Sequence, residues 1–202
     1  MTNRPMPKIG VDMLYVAKMT KDEAANGATY EAPTRLYGVN NIGYDPAVQS
    51  GSYSADDGTY VSNSADGATT ITIKVADLLP EDYALIMGLS YGDDGVVEEG
   101  AGDNAPEMAV GWRSQKADGS YRFVWALKGK FAKSAETYAT KGGEGITYND
   151  REITFTAMNR ICDGKKRRQL DSNDAKISDT LEKLSGTEGW FSSPDYSPAK
   201  KQ

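Results

Sequence analysis

The chain has 202 residues, 23 Lys and Arg against 29 Asp and Glu, and a formal net charge of −6, so as a whole it is no natural polyanion binder. A chain of this size buries roughly 70% of its unfolded surface, enough for a sizeable core without metals or disulfides. It has no histidine and one cysteine, Cys162, which excludes Ser-His-Asp, Cys-His and His-zinc arrangements and any intramolecular disulfide.

The opening residues are polar and twice broken, by Pro5 and Pro7, and lack the apolar run of a signal peptide. The apolar stretches at 13–17 and 123–127 are far too short to span a bilayer. The expected setting is therefore a cytoplasm, with Cys162 reduced and no membrane. From there the dominant period is two. Residues 11–19, and less sharply 35–44, read as strands. Residues 70–75 place Ile71, Ile73 and Val75 on one face. A helix is expected over 77–88, with Asp77 as cap, Pro80 in the first turn, Leu79, Tyr83 and Ile86 as an apolar stripe, and Gly88 as stop. Residues 107–113 put Met108, Val110 and Trp112 on one face, and 120–128 do the same with Tyr121, Phe123, Trp125 and Leu127. Asp118-Gly119 between them supplies a tight turn, so the two form a hairpin. A further strand, 151–160, carries Ile153, Phe155 and Ala157. A second helix is expected from a cap at Asn173 or Asp174 to Gly186, with Ile177, Leu181 and Leu184 as a narrow apolar edge.

Residues 50–68 are rich in Gly, Ser, Asp and Asn, yet hold Tyr53, Tyr60 and Val61. They are either a disordered insertion or a long hairpin that leaves the domain and orders against something else. The short apolar pieces flanking Ala55-Asp56-Asp57-Gly58 favour the hairpin, with Gly58 expected to supply the positive φ at its tip.

Candidate chemistry is sparse. Asp93, Asp94, Glu98, Glu99 and Asp103 cluster in 92–103, but their spacing does not match a calcium loop, and nothing else supports a glycosidase pair. A solvated loop is the simpler reading. The run Lys165-Lys166-Arg167-Arg168 suits phosphate contacts or a solvated turn; without interleaved aromatics the turn is favoured. Ser197 and Lys200 match a Ser-x-x-Lys spelling in a Pro-containing tail where no helix fixes the pair. No Gly-rich loop has the Lys and Ser/Thr needed to cradle phosphate. Trp112, Trp125 and Tyr121 are either a sugar platform or core, and their alternation favours core. No catalytic residue, metal site or cofactor is assigned.

Ordered pieces of the chain resemble the major tail proteins of long-tailed bacteriophages and prophages, mostly of Gram-positive hosts. They are Lys8-Ile9-Gly10-Val11-Asp12, Tyr15-Val16-Ala17-Lys18, Ala55-Asp56-Asp57-Gly58 with Tyr60, Val75-Ala76-Asp77-Leu78 and Pro80-Glu81-Asp82. The densest part is Ala105-Pro106, Ala109-Val110-Gly111-Trp112-Arg113-Ser114, Asp118-Gly119, Tyr121-Arg122, Val124-Trp125 and Lys128-Gly129-Lys130-Phe131. Together they cover roughly residues 8–142, and the ordered set is more specific than any one piece. The C-terminal part departs from the family: an acidic hairpin is expected after the 151–160 strand, and Asp163-Gly164 leads into cations instead. Trp190-Phe191 is similar to the family's close.

The resemblance implies a mainly β fold, a single tail-tube domain over 1–202. It would be a β-sandwich or barrel with one flanking α-helix, a protruding hairpin loop at 50–68 and a short C-terminal helix. Residues 1–10 would be an N-terminal arm and 160–202 a C-terminal extension. It implies six copies per ring and rings stacked into a tube through which DNA passes without specific binding. Tape measure, tail terminator and distal tail proteins would be partners. The setting is the virion tail, and the host cytoplasm during assembly. Tyr53, Asp56, Asp57, Gly58 and Tyr60 would form an arm reaching a neighbouring subunit. The rival reading is a carbohydrate- or cell-wall-binding β-sandwich that decorates a virion.

Overall fold

A computed structural model describes residues 4–136, 138, 140 and 148–201. Residues 1–3 of the expected N-terminal arm, and 137, 139, 141 and 142 at the end of the family-like stretch, lie outside the described residues. The protein is mainly β with two short helices. In chain order the elements are β1 (Lys8–Glu23), β2 (Gly27–Tyr30), β3 (Thr34–Leu36), β4 (Val39–Ala55), β5 (Gly58–Val75) and α1 (Pro80–Met87). There follow β6 (Ser90–Tyr91), β7 (Val97–Glu98), β8 (Met108–Lys116), β9 (Tyr121–Ala132), β10 (Arg151–Ala157), β11 (Arg167–Asp171) and α2 (Leu181–Ser185). A turn of 3-10 helix, Trp190–Ser192, comes last.

Nine strands make one sheet in the order β2-β1-β8-β9-β10-β5-β4, with β11 added to β9 and β3 to β1. Among the described residues the sheet does not close into a barrel. The central hairpin β8–β9 turns at Gly119 (φ +79), with Asp118 accepting a hydrogen bond from the Ser120 N–H. Both faces of this hairpin are buried. Met108, Val110, Trp112, Val124 and Ala126 join Leu14, Val16, Ile71, Ile73, Ile86 and Phe155 in one core. Ala109, Phe123, Trp125 and Leu127 join Ala17, Leu184, Trp190 and Phe191 in a second. Successive residues of a strand face opposite ways, so each layer takes every other residue. Trp112 and Trp125 therefore belong to different cores, with Trp112 beside Val124 and Trp125 beside Gly111. A Cβ at Gly111 would sit 2.7 Å from the Trp125 ring, so only glycine admits the indole there. β1 serves both layers by the same alternation, with Leu14 and Val16 in the first core and Tyr15 and Ala17 against the second. A bulge, where Met13 (φ +53) and Leu14 face the single residue Trp112, shifts its register.

The 35–44 expectation divides into β3 and β4, because Gly38 (φ +80) turns the chain. The first helix starts two residues later than expected. Leu79 is its cap residue, while Asp77 accepts a hydrogen bond from the Leu78 N–H instead. Leu79 thus precedes the first turn and is exposed, and the buried face is Ala84, Ile86 and Met87. Gly88 ends the helix with left-handed φ, as expected. The second helix is only Leu181–Ser185, capped by Thr180 Oγ1. Upstream, Asp174 accepts from the Lys176 N–H in a local turn, and Ile177 bridges to Lys200. Asp179 gathers Lys183, the Tyr196 hydroxyl and the Ala199 N–H, tying this stretch to the C-terminal residues rather than to a longer helix.

Candidate functional site

The outer part of β4 and β5 is a two-stranded arm. Asp56 (φ +51) and Asp57 (φ +61) both sit in the left-handed region, the requirement of a two-residue turn whose twist matches its strands. Gly58 does not supply the positive φ. It pairs with Ala55 as the first ladder residue after the turn. Asp tolerates left-handed φ better than most residues, which lets the aspartates carry the tip.

Tyr53 lies directly opposite Val61, and Tyr60 is the extra residue of a bulge between that pair and Ser54–Thr59. Tyr53 and Tyr60 are 67% and 71% exposed, so the chain's own body covers neither ring. The other face of the arm carries Ser50 opposite Ser64 and Ser52 opposite Ser62, short side chains that leave the backbone approachable. From the Val48–Asp66 pair to the tip, eight residues at about 3.4 Å each project roughly 27 Å. Among the described side chains of 48–65, none makes a hydrogen bond or ion pair to the body. The structure thus brings all five predicted residues, Tyr53, Asp56, Asp57, Gly58 and Tyr60, to one tip.

The root of the arm is held differently from any sequence-based expectation. The run 165–168 is not a solvated turn. Arg167 begins β11, which pairs with the middle strand β9 through Arg167–Ala126 and Arg168–Trp125. The Lys166 ammonium donates to Asp66 (2.6 Å), to the Gly67 carbonyl (2.7 Å) and to Thr69 Oγ1 (3.2 Å). The Arg167 guanidinium lies 4.5 Å from the Tyr44 ring centre. Arg168 donates to the Pro194 and Tyr196 carbonyls, and burial pushes its pKa down. Leu170 is the one apolar residue of 166–171, so no apolar alternation marked this strand in the sequence.

The C-terminal segment is clamped by charge. Arg160, nearly buried, binds Asp163 and both oxygens of Asp195, and accompanies the Tyr30 hydroxyl. Burial alone lowers the Arg160 pKa, but Asp163 and Asp195 outweigh it and raise it. The Arg160 hydrogen bonds hold Asp163 well below the usual carboxylate range. Asp179 is brought down to about 2, first by Lys183 and then by Tyr196 and the Ala199 N–H.

The remaining candidates are tied into the fold or lie apart from one another. Trp112 and Trp125 are buried, so they form no sugar platform. In 92–103, Asp94 caps the β6–β7 turn at Val96, Asp103 accepts from the Gly100 N–H, and Glu99 pairs with Tyr83 and Lys133. A cleft of about 670 Å³ beside α1 is lined in part by Arg151, which stacks 4.3 Å over Tyr83 and pairs with Glu136. Ser197 and Lys200 lie outside any helix, with Lys200 opposite Ile177. Among the described residues, no three of Cys, Asp and Glu gather as metal ligands would.

No family model matches the chain, and neither does any curated protein.

Proposed function

We propose that the protein is a structural subunit of a phage-type tail tube, a β-sandwich that assembles into hexameric rings stacked around a channel for DNA. The observation that carries this reading is the arm: a long hairpin, uncovered by its own chain, with Tyr53, Val61 and Tyr60 exposed near its end. Such a ribbon is marginal in isolation and gains from docking on another surface. The edge of β4 at the end of the sheet, unpaired among the described residues, is a second feature that assembly would cover. A heterologous contact whose rotation closes makes a ring, and stacked rings make a tube. A channel that lets a polyanion slide must not grip phosphate, which suits a net charge of −6. Tape measure, terminator and distal tail proteins would meet the ends of the tube. The family-like motifs of the sequence supply the specific form of the assembly.

Purified protein, alone or with tail partners, is expected to sediment as rings or tubes and to show them in negative stain. A monomer at every concentration, with the tail partners present, sinks the reading.

The arm gives a second test. Deleting residues 54–60 is expected to leave strand content and melting temperature nearly unchanged, since no core residue lies there. Stacking of rings should be abolished. Protease should cut the arm in free subunits and spare it in tubes. Normal tube growth by the deletion variant, or equal cleavage in both states, contradicts this role.

A further inference from the structure

The geometry points to Lys166 as the positioning residue of the arm, the group that sets the direction in which the hairpin leaves the body. Support for the hairpin ends at Thr69, which is fully buried; outward from Ala68 nearly every residue is exposed. At that border the ladder is irregular. Pro46 pairs with Thr69 and Val48 with Asp66, so Gly67 and Ala68 together face the single residue Ala47, and β5 carries the extra residue of a bulge. Bulges bend and twist the ribbon that contains them, so the aim of everything beyond is decided at this joint. Gly67 packs into it: a Cβ there would lie 3.0 Å from the Ala47 carbonyl oxygen.

Lys166 spans this joint. An ammonium has three donors, and here each has an acceptor: Thr69 on the body side, the Gly67 carbonyl at the joint, and Asp66 on the arm side. Its own position is firm. The Lys166 carbonyl accepts from the N–H of Leu127, a fully buried residue of the central strand, and β11 begins at the next residue. The Lys166 side chain is only 10% exposed, whereas that of Asp66 is 60% exposed. A lone exposed ion pair does little for stability. Three contacts from one anchored cation, placed on both sides of a bend, fix an angle instead. Under the assembly reading above, on which its use rests, an arm already aimed loses less freedom when it docks.

The test reads the arm within one subunit, so it stands apart from whether tubes form. Nitroxides are placed at Thr59→Cys on the arm and Glu81→Cys on α1 in a Cys162→Ser background, diluted with unlabelled protein. Pulsed dipolar spectroscopy then gives the intramolecular distance distribution. Lys166→Met is expected to broaden it about twofold or to shift its centre, with the melting temperature of the body nearly unchanged, and Lys166→Arg is expected to restore a narrow peak. Asp66→Lys, a change on an exposed residue that spares the core, should broaden it as well. An unchanged distribution in Asp66→Lys and in folded Lys166→Met overturns the proposal, whatever the protein does in assembly.

Discussion

Trp125→Ala will cost about 3–5 kcal/mol of unfolding free energy and leave much of the expressed chain insoluble. The indole is fully buried in the second core, edge-on to Phe191 at 5.8 Å between centroids. Its N–H donates to the Trp190 carbonyl at 3.0 Å, so truncation removes volume and a hydrogen bond together. Gly111 opposite adds nothing to refill the space, because its lack of a side chain is what admits the ring. The lost contacts are those that seat the C-terminal segment on the sheet. Trp125→Phe keeps most of the volume and loses the donor, which should cost about 1–3 kcal/mol. Urea unfolding followed by circular dichroism measures both. A loss below about 1 kcal/mol for the alanine variant is incompatible with this packing.

Lys128→Met will be nearly as damaging, about 3–5 kcal/mol, although methionine fits the volume. Lys128 and Asp22 have side chains only 5% and 4% exposed and meet at 2.8 Å, with Glu107 also 3.3 Å from the ammonium. Asp22 further accepts from the N–H groups of Ile161 and Cys162, so it joins the end of β1 to the start of the C-terminal segment. Removing the ammonium strands a buried carboxylate. A double variant, Asp22→Leu with Lys128→Met, should be less damaging than the two single losses added together, because neither charge is then left alone.

The same pair sets an acid limit. Burial alone would raise the Asp22 pKa, but the Ile161 N–H, the Lys128 ammonium and the Cys162 N–H outweigh it and bring it down to about 2. A carboxylate depressed in the folded state stabilises it above its ordinary value of 3.8, and that contribution is lost as pH falls toward 2. Asp171 behaves alike, held at about 2 by Arg122 first and Lys116 next. Burial lowers the Lys128 pKa but Asp22 and Glu107 raise it further, so its contribution is present below 10.5 and goes as pH climbs past the raised value. Denaturation midpoints measured between pH 7 and pH 2 should fall mainly below 4, and less steeply in Asp22→Asn.

The positions of many strands were legible in the sequence, but not their order in the sheet. Alternating apolar residues marked β1, β8, β9, β10 and the inner half of β5, because a pleated strand with a buried face repeats every two residues. Asp118-Gly119 and Gly88 marked a turn and a helix end through backbone conformations that few other residues accept. Tyr53 and Tyr60 stood out as aromatic groups in a polar stretch, and Asp56, Asp57 and Gly58 as the turn between them. What alternation does not carry is which layer covers each face. Trp112 and Trp125 both read as buried; the β8–β9 register puts them on opposite faces, and only the fold decides that α1 covers one face and Trp190–Ser192 the other. The basic run became a strand because β9 offered it an unpaired edge. The second helix shortened because Asp179 found partners among the last residues. Lys166 acquired its place at the root of the arm by the same route. Each of these outcomes depends on groups far apart in the chain, and local periodicity holds no information about which distant groups will meet.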